Sequence, residues 1–209
     1  QGVNLDNWKG IVTNILGEMV VNVEGQKVRS LPRILEALSD NKSGLGTRIR
    51  KKRFPHSGFS TAMATYLDRT SAPRGLQLLE RYLEGERIGA LMLRDQGIEG
   101  VSDPLSKRNA EQVLATVVAA FVEVDIPGCI VLFDEHEKSL VVRGSRPSKK
   151  IIEAANLFRR LIDASVGGGL PRFISVFTVL PDFLDRCGQA YEALGQRTGR
   201  PQTVYEDSP

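Results

Sequence analysis

Pro127-Gly128 is followed by five apolar residues without alternation, Cys129-Ile130-Val131-Leu132-Phe133, and then by two acids, Asp134-Glu135. An unbroken run of this kind suits a strand buried on both faces of a parallel sheet, where neither face meets water. Past the loop from Arg143 to Pro147, Ser148 is placed to cap a helix carrying Ile151, Ile152, Ala155, Phe158, Leu161 and Ile162, which Gly167-Gly168-Gly169 ends. A second apolar run, Phe173 to Val179, supplies the next strand. Strand, helix and strand within about fifty residues form a βαβ unit with a right-handed crossover. The expected class is therefore α/β, a parallel sheet flanked by helices, with strands at 129–135 and 172–179.

The first half reads as helical. Trp8, Ile11, Val12, Ile15, Leu16 and Met19 recur at three- and four-residue spacings, which predicts a helix from Asn4 to about Val23. Ser30 before Leu31-Pro32 starts another, which ends near Asn41. Residues 41–58, with Gly44, Gly46 and Pro55, read as an exposed loop. Further apolar faces follow at Phe59, Met63, Tyr66 and Leu67, at Leu76, Leu79, Tyr82 and Leu83, and at Leu91-Met92-Leu93. Asp103-Pro104 is expected to open a long helix with Val113, Leu114, Val117, Val118 and Phe121 on its buried stripe. The chain thus divides into a mainly helical part, 1–102, and an α/β part, 103–209.

Composition removes several function classes. No apolar run approaches the ~20 residues of a membrane helix, and no basic-then-apolar leader opens the chain. Cys129 and Cys187 are far apart and fit neither a disulfide scaffold nor a zinc knuckle, so a reducing cytoplasm suits them. Two histidines, His56 and His136, leave little material for a His-based metal site or a Ser-His-Asp triad. The chain starts at Gln1 and stops soon after a helical pattern, which reads as a piece of a longer protein.

The net charge of +3 hides an uneven distribution. Lys42, Arg48, Arg50, Lys51, Lys52 and Arg53 lie in one stretch without an acid, and the remainder carries 22 basic against 25 acidic residues. This basic loop, 42–53, is read either as a solvated flexible loop or as a contact for phosphate, including that of nucleic acid.

Four apolar residues ending in Asp134-Glu135 have the form of a Walker B motif. Nucleotide hydrolysis needs one carboxylate to hold the water shell of magnesium and a second to orient the attacking water. Asp134 suits the first role and Glu135 the second, although an apolar strand also ends in acids simply on reaching solvent. Thr178 ends the second strand, where a polar residue can help hold that water; β propensity accounts for it equally. Arg197 is the candidate arginine finger for a neighbouring subunit's nucleotide, with Arg186 and Arg200 as weaker alternatives and an ordinary helix arginine as the bland one. No Gly-x-x-x-x-Gly-Lys-Ser/Thr loop is present. Ser43-Gly44-Leu45-Gly46-Thr47 lacks the lysine-hydroxyl pair, and Gly167-Gly168-Gly169 follows a helix and precedes a strand.

Taken together, several segments resemble one family. They are Leu83-Glu84-Gly85-Glu86-Arg87, Gly97-Ile98, Ile126-Pro127-Gly128 before the Asp134-Glu135 strand, and Phe158-Arg159-Arg160-Leu161-Ile162-Asp163-Ala164. To these are added Gly169-Leu170-Pro171, Thr178-Val179-Leu180-Pro181-Asp182-Phe183 and Tyr191-Glu192-Ala193-Leu194. The pattern resembles the P-loop, AAA+-like ATP-binding proteins of BREX-type phage-defence systems. The resemblance implies a partial P-loop core whose Walker A loop lies upstream of Gln1, with ATP and magnesium as cofactors. It carries Asp134 and Glu135 over as Walker B residues, Thr178 as sensor and Arg197 as finger, and it matches Glu137 without assigning a role. It also implies other subunits of a defence complex as partners, an action on foreign DNA, and a homo-oligomer if the finger acts in trans.

Two readings follow. The first is part of an ATP-hydrolysing module, with a switch that binds but barely hydrolyses as a variant. The second is a non-catalytic module whose loop 42–53 engages nucleic acid or an acidic protein, with binding that falls steeply as salt rises.

Overall fold

The computed structural model describes residues 8–69, 73–134 and 149–178. Helix α1 (Trp8–Glu18) buries Ile11, Val12 and Leu16 and leads into a hairpin of β1 (Val20–Val23) and β2 (Gln26–Arg29). The helix thus stops short of Val23, where the spacing predicts it to run. Val20, Val21 and Val23 favour extended backbone, and Glu24 and Gly25 take φ of 50° and 86°, the left-handed geometry that a tight two-residue hairpin needs. The antiparallel register pairs Val20 with Arg29 and Val23 with Gln26.

Helix α2 (Leu31–Asn41) follows with Pro32 in its first turn and Leu31, Ile34, Leu35 and Leu38 buried. Residues 45–50, expected in a loop, form α3 (Leu45–Arg50), because Leu45 and Ile49 lie one turn apart and both bury. Gly46 lets α3 approach α4 (Ser57–Asp68) closely: a Cβ there would collide with Ala64 O and the Asp68 side chain. Next come α5 (Pro73–Leu83) and α6 (Ala90–Arg94).

Helix α7 (Ala110–Glu123) starts later than Asp103-Pro104 suggests. Asn109 Oδ1 accepts from Ser106 N at 2.8 Å and from its Oγ at 3.1 Å, and Asn109 Nδ2 donates to Pro104 O at 3.1 Å. These local bonds hold 104–109 in turns and compete with helix. Along α7, Val113, Leu114, Val117, Val118 and Phe121 are buried, and the helix packs on α1, α3 and α4. One apolar cluster runs from α1 through α7 to Phe133, Phe158 and Phe173, across the 102/103 boundary drawn from the sequence.

The βαβ unit consists of β3 (Cys129–Asp134), α8 (Lys149–Val166) and β4 (Phe173–Thr178). β3 and β4 pair in parallel, residue by residue from Cys129 with Phe173 to Asp134 with Thr178. On the α8 side Phe133 stacks on Phe177 at 4.7 Å, and Phe158 meets Phe177 edge-on at 4.4 Å. The opposite face departs from the expected burial on both sides: Ile130 is 64% exposed, Leu132 70%, Ile174 56% and Val176 40%. The described sheet is thus mixed α/β in setting, with a two-stranded parallel ribbon that helix α8 covers on one side.

Candidate functional site

The parallel register sets Asp134 and Thr178 side by side at the carboxyl ends of β3 and β4. Ligands of open α/β sheets bind beyond this edge. Thr178 Oγ1 donates to Phe133 O at 3.4 Å, so the hydroxyl stays close to the neighbouring strand. Glu135 and Arg197 lie outside the described residues, as do Glu137, Arg186 and Arg200. Of the four residues expected to act on a nucleotide, the described structure therefore brings together Asp134 and Thr178.

A carboxylate residue and a hydroxyl residue on adjacent strand ends suit a hydrated divalent cation, with Asp134 as the residue that would hold it through water. A phosphate cradle is not formed by the glycines at 44 and 46. Gly44 precedes α3 with φ of 76°, and Gly46 serves the contact with α4. Among the described residues, no cluster of three or more His, Cys, Asp or Glu side chains forms a metal site.

The basic segment is not a free strip of charge. Arg48 grips Asp125 through both terminal nitrogens, at 2.9 and 3.0 Å, and Lys42 Nζ reaches the same carboxylate at 3.3 Å. The Arg48 and Lys42 bonds hold the Asp125 carboxyl well below the usual carboxylate range. Asp125 sits just past α7 with φ of 68°, so this clamp ties the segment to the end of the central helix. Arg50 pairs with Asp68, and Lys52 lies 3.6 Å from Glu123. Lys51 and Arg53 make no ion pair among the described residues. Four of the six cations that the sequence marks out are thus matched by three acids distant in the chain.

A buried polar cluster lies where sequence reasoning placed nothing. His56 N donates to Thr116 Oγ1 at 2.9 Å, and His56 Nδ1 accepts from Phe59 N at 3.1 Å, which caps α4. His56 Nε2 is 3.2 Å from Asn109 Nδ2, whose orientation is set by the Ser106 and Pro104 bonds. The capping bond needs an unprotonated Nδ1, which a doubly protonated imidazolium does not have. Burial lowers the His56 pKa against smaller opposing effects of its own backbone and Asp103. A lone histidine before a Ser-Gly dipeptide carries no sequence signal for such a role.

Cys129 offers no nucleophile. Burial pushes its thiol up to about 11, which keeps it protonated at neutral pH. Along the outer edge of β3, a cleft of about 480 Å³ runs between that strand and α1 and β1, lined by Ile15, Met19, Val21, Phe121 and Val131 among others. Among the described residues, no helix is long and apolar enough to cross a membrane. In comparisons with protein-family models, curated proteins and solved structures, nothing matches the chain.

Proposed function

We propose that this chain is part of an ATP-binding and ATP-hydrolysing P-loop module, of the AAA+-like kind found in BREX-type phage-defence systems that act on foreign DNA. The observation that carries the reading is the parallel pairing of Asp134 with Thr178 at the carboxyl edge of a βαβ unit. In this reading Asp134 holds hydrated magnesium, Glu135 orients the attacking water, and Thr178 keeps that water in place. Arg197 is assigned to a neighbouring subunit's nucleotide, which requires a homo-oligomer. Magnesium, when bound, neutralises charge on the transferred phosphoryl group. The phosphate cradle has to come from outside the 209 residues, because no glycine-lysine loop occurs among them.

The basic-segment module is the lesser reading, since most of its cations are engaged with Asp68, Glu123 and Asp125. The deciding experiment measures magnesium-dependent ATP binding and turnover by the full gene product, beside this chain and a Glu135→Gln variant. Turnover is expected to fall by at least about a hundredfold in Glu135→Gln while ATP still binds. Absence of ATP binding in the full product would sink the reading.

A further inference from the structure

A cleft of about 380 Å³ lies between the end of α3, the connection to α4 and the first turn of α4. Its walls include three cations, Arg50, Lys52 and Arg53, and three hydroxyl residues, Ser57, Ser60 and Thr61. No acid lines it. The other clefts described differ in this respect: Glu18 lines the one beside β3, Asp95 the one between α5 and α6, and Glu99 the one beside Gly100.

The cations have different duties. Arg50 and Lys52 are pinned by Asp68 and Glu123, which fixes where they stand. Such solvent-exposed pairs are weak, so a doubly charged anion can share their charge. Arg53 makes no ion pair among the described residues, and its guanidinium supplies a planar fork matched to phosphate oxygens. Ser60 Oγ already donates to Ser57 O at 2.9 Å, whereas Ser57 and Thr61 make no side-chain hydrogen bond to a described residue. Phe54, half-buried against the core, closes one wall with an apolar face.

We infer that this cleft is a binding site for the terminal phosphate of a small phosphorylated molecule, with Arg53 as the main anchor and Ser57 and Thr61 as neutral donors. An open cleft of this volume has room for the phosphate end of a nucleotide-sized ligand. An extended nucleic acid would need a longer run of unpaired cations than Lys51 and Arg53 provide. The site is separate from the Asp134 edge and does not depend on it.

The test follows amide shifts in 15N spectra of the whole chain, without magnesium, during titration with inorganic phosphate, a nucleoside 5′-monophosphate, the unphosphorylated nucleoside and a single-stranded oligonucleotide. Saturable shifts are expected at residues 53–61 with the monophosphate and not with the nucleoside. Arg53→Glu should weaken this binding by at least about tenfold, as loss of a charge-assisted bond predicts. Arg53→Lys should retain part of it. Saturation by inorganic phosphate as tightly as by the monophosphate would assign the ligand as free phosphate and leave the anchor unchanged. Shifts confined to the oligonucleotide, shifts elsewhere than 53–61, or shifts indifferent to Arg53→Glu would each overturn the inference. Because ATP turnover is not the readout, failure here and failure of the ATPase reading are told apart.

Discussion

His56 is touched by three parts of the chain: its own helix start at Phe59, Thr116 on α7, and Asn109 at the mouth of that helix. Its folded pKa lies below the ordinary value of about 6.5, so the native state favours the neutral ring. The stability it contributes is present above that value and is lost as pH falls below it, because the unfolded chain then binds the proton first. Urea midpoints at about pH 7.5 and about pH 5 should therefore fall further for the wild type than for His56→Asn, which keeps a capping acceptor without a titrating group. Equal falls would remove His56 from the pH response. The sequence shows a histidine and nothing more here, since its partners are 53 and 60 residues away. Asp125 makes the same point for charge. It stands between Val124 and Ile126 in the chain, yet it receives Arg48 of α3 and Lys42 from just past α2.

At the scale of elements, β3 contrasts with its own expectation. An unbroken apolar run does not reveal which face is covered, and α8 covers only the one that carries Phe133. Adjacent residues should then respond differently to substitution. Leu132→Lys, at a mostly exposed position, is expected to change unfolding free energy by less than about 0.5 kcal/mol. Phe133→Ala, which empties the stack on Phe177, should cost about 3–5 kcal/mol. Chemical denaturation of the two variants checks the pair, and a costly Leu132→Lys would mean that this face is covered in solution. The run of helices 2, 4, 5, 7 and 8 was legible because their apolar spacing acts within the element. The β1–β2 hairpin was not, because Val20 to Val23 continue the helical spacing of α1 and only Glu24-Gly25 marks the turn. Helix α3 was hidden by its charge: five basic side chains from Arg48 to Arg53 look like a loop until Asp125, Asp68 and Glu123 are brought to meet Arg48, Arg50 and Lys52.

Over the whole molecule, Trp8 joins the two halves. Arg160 of α8 lies over its ring at 5.2 Å and pairs with Glu111 of α7, so three helices meet at the only tryptophan. Unfolding followed by Trp8 fluorescence and by far-ultraviolet circular dichroism should give coincident transitions, the mark of one cooperative unit. An earlier fluorescence transition would show that α1 and α8 part before the remaining helices melt. The sequence by itself determined the α/β class, the order of strand, helix and strand from Cys129 to Thr178, and the acidic end of β3, because hydrophobic period and turn residues are properties of neighbours in the chain. Tertiary structure alone decided that Asp134 stands beside Thr178, that the cations of 42–53 are mostly matched by acids, and that one face of the ribbon stays open. Each of those depends on register, helix approach or burial between segments dozens of residues apart, and such long-range choices are made by packing rather than by local preference.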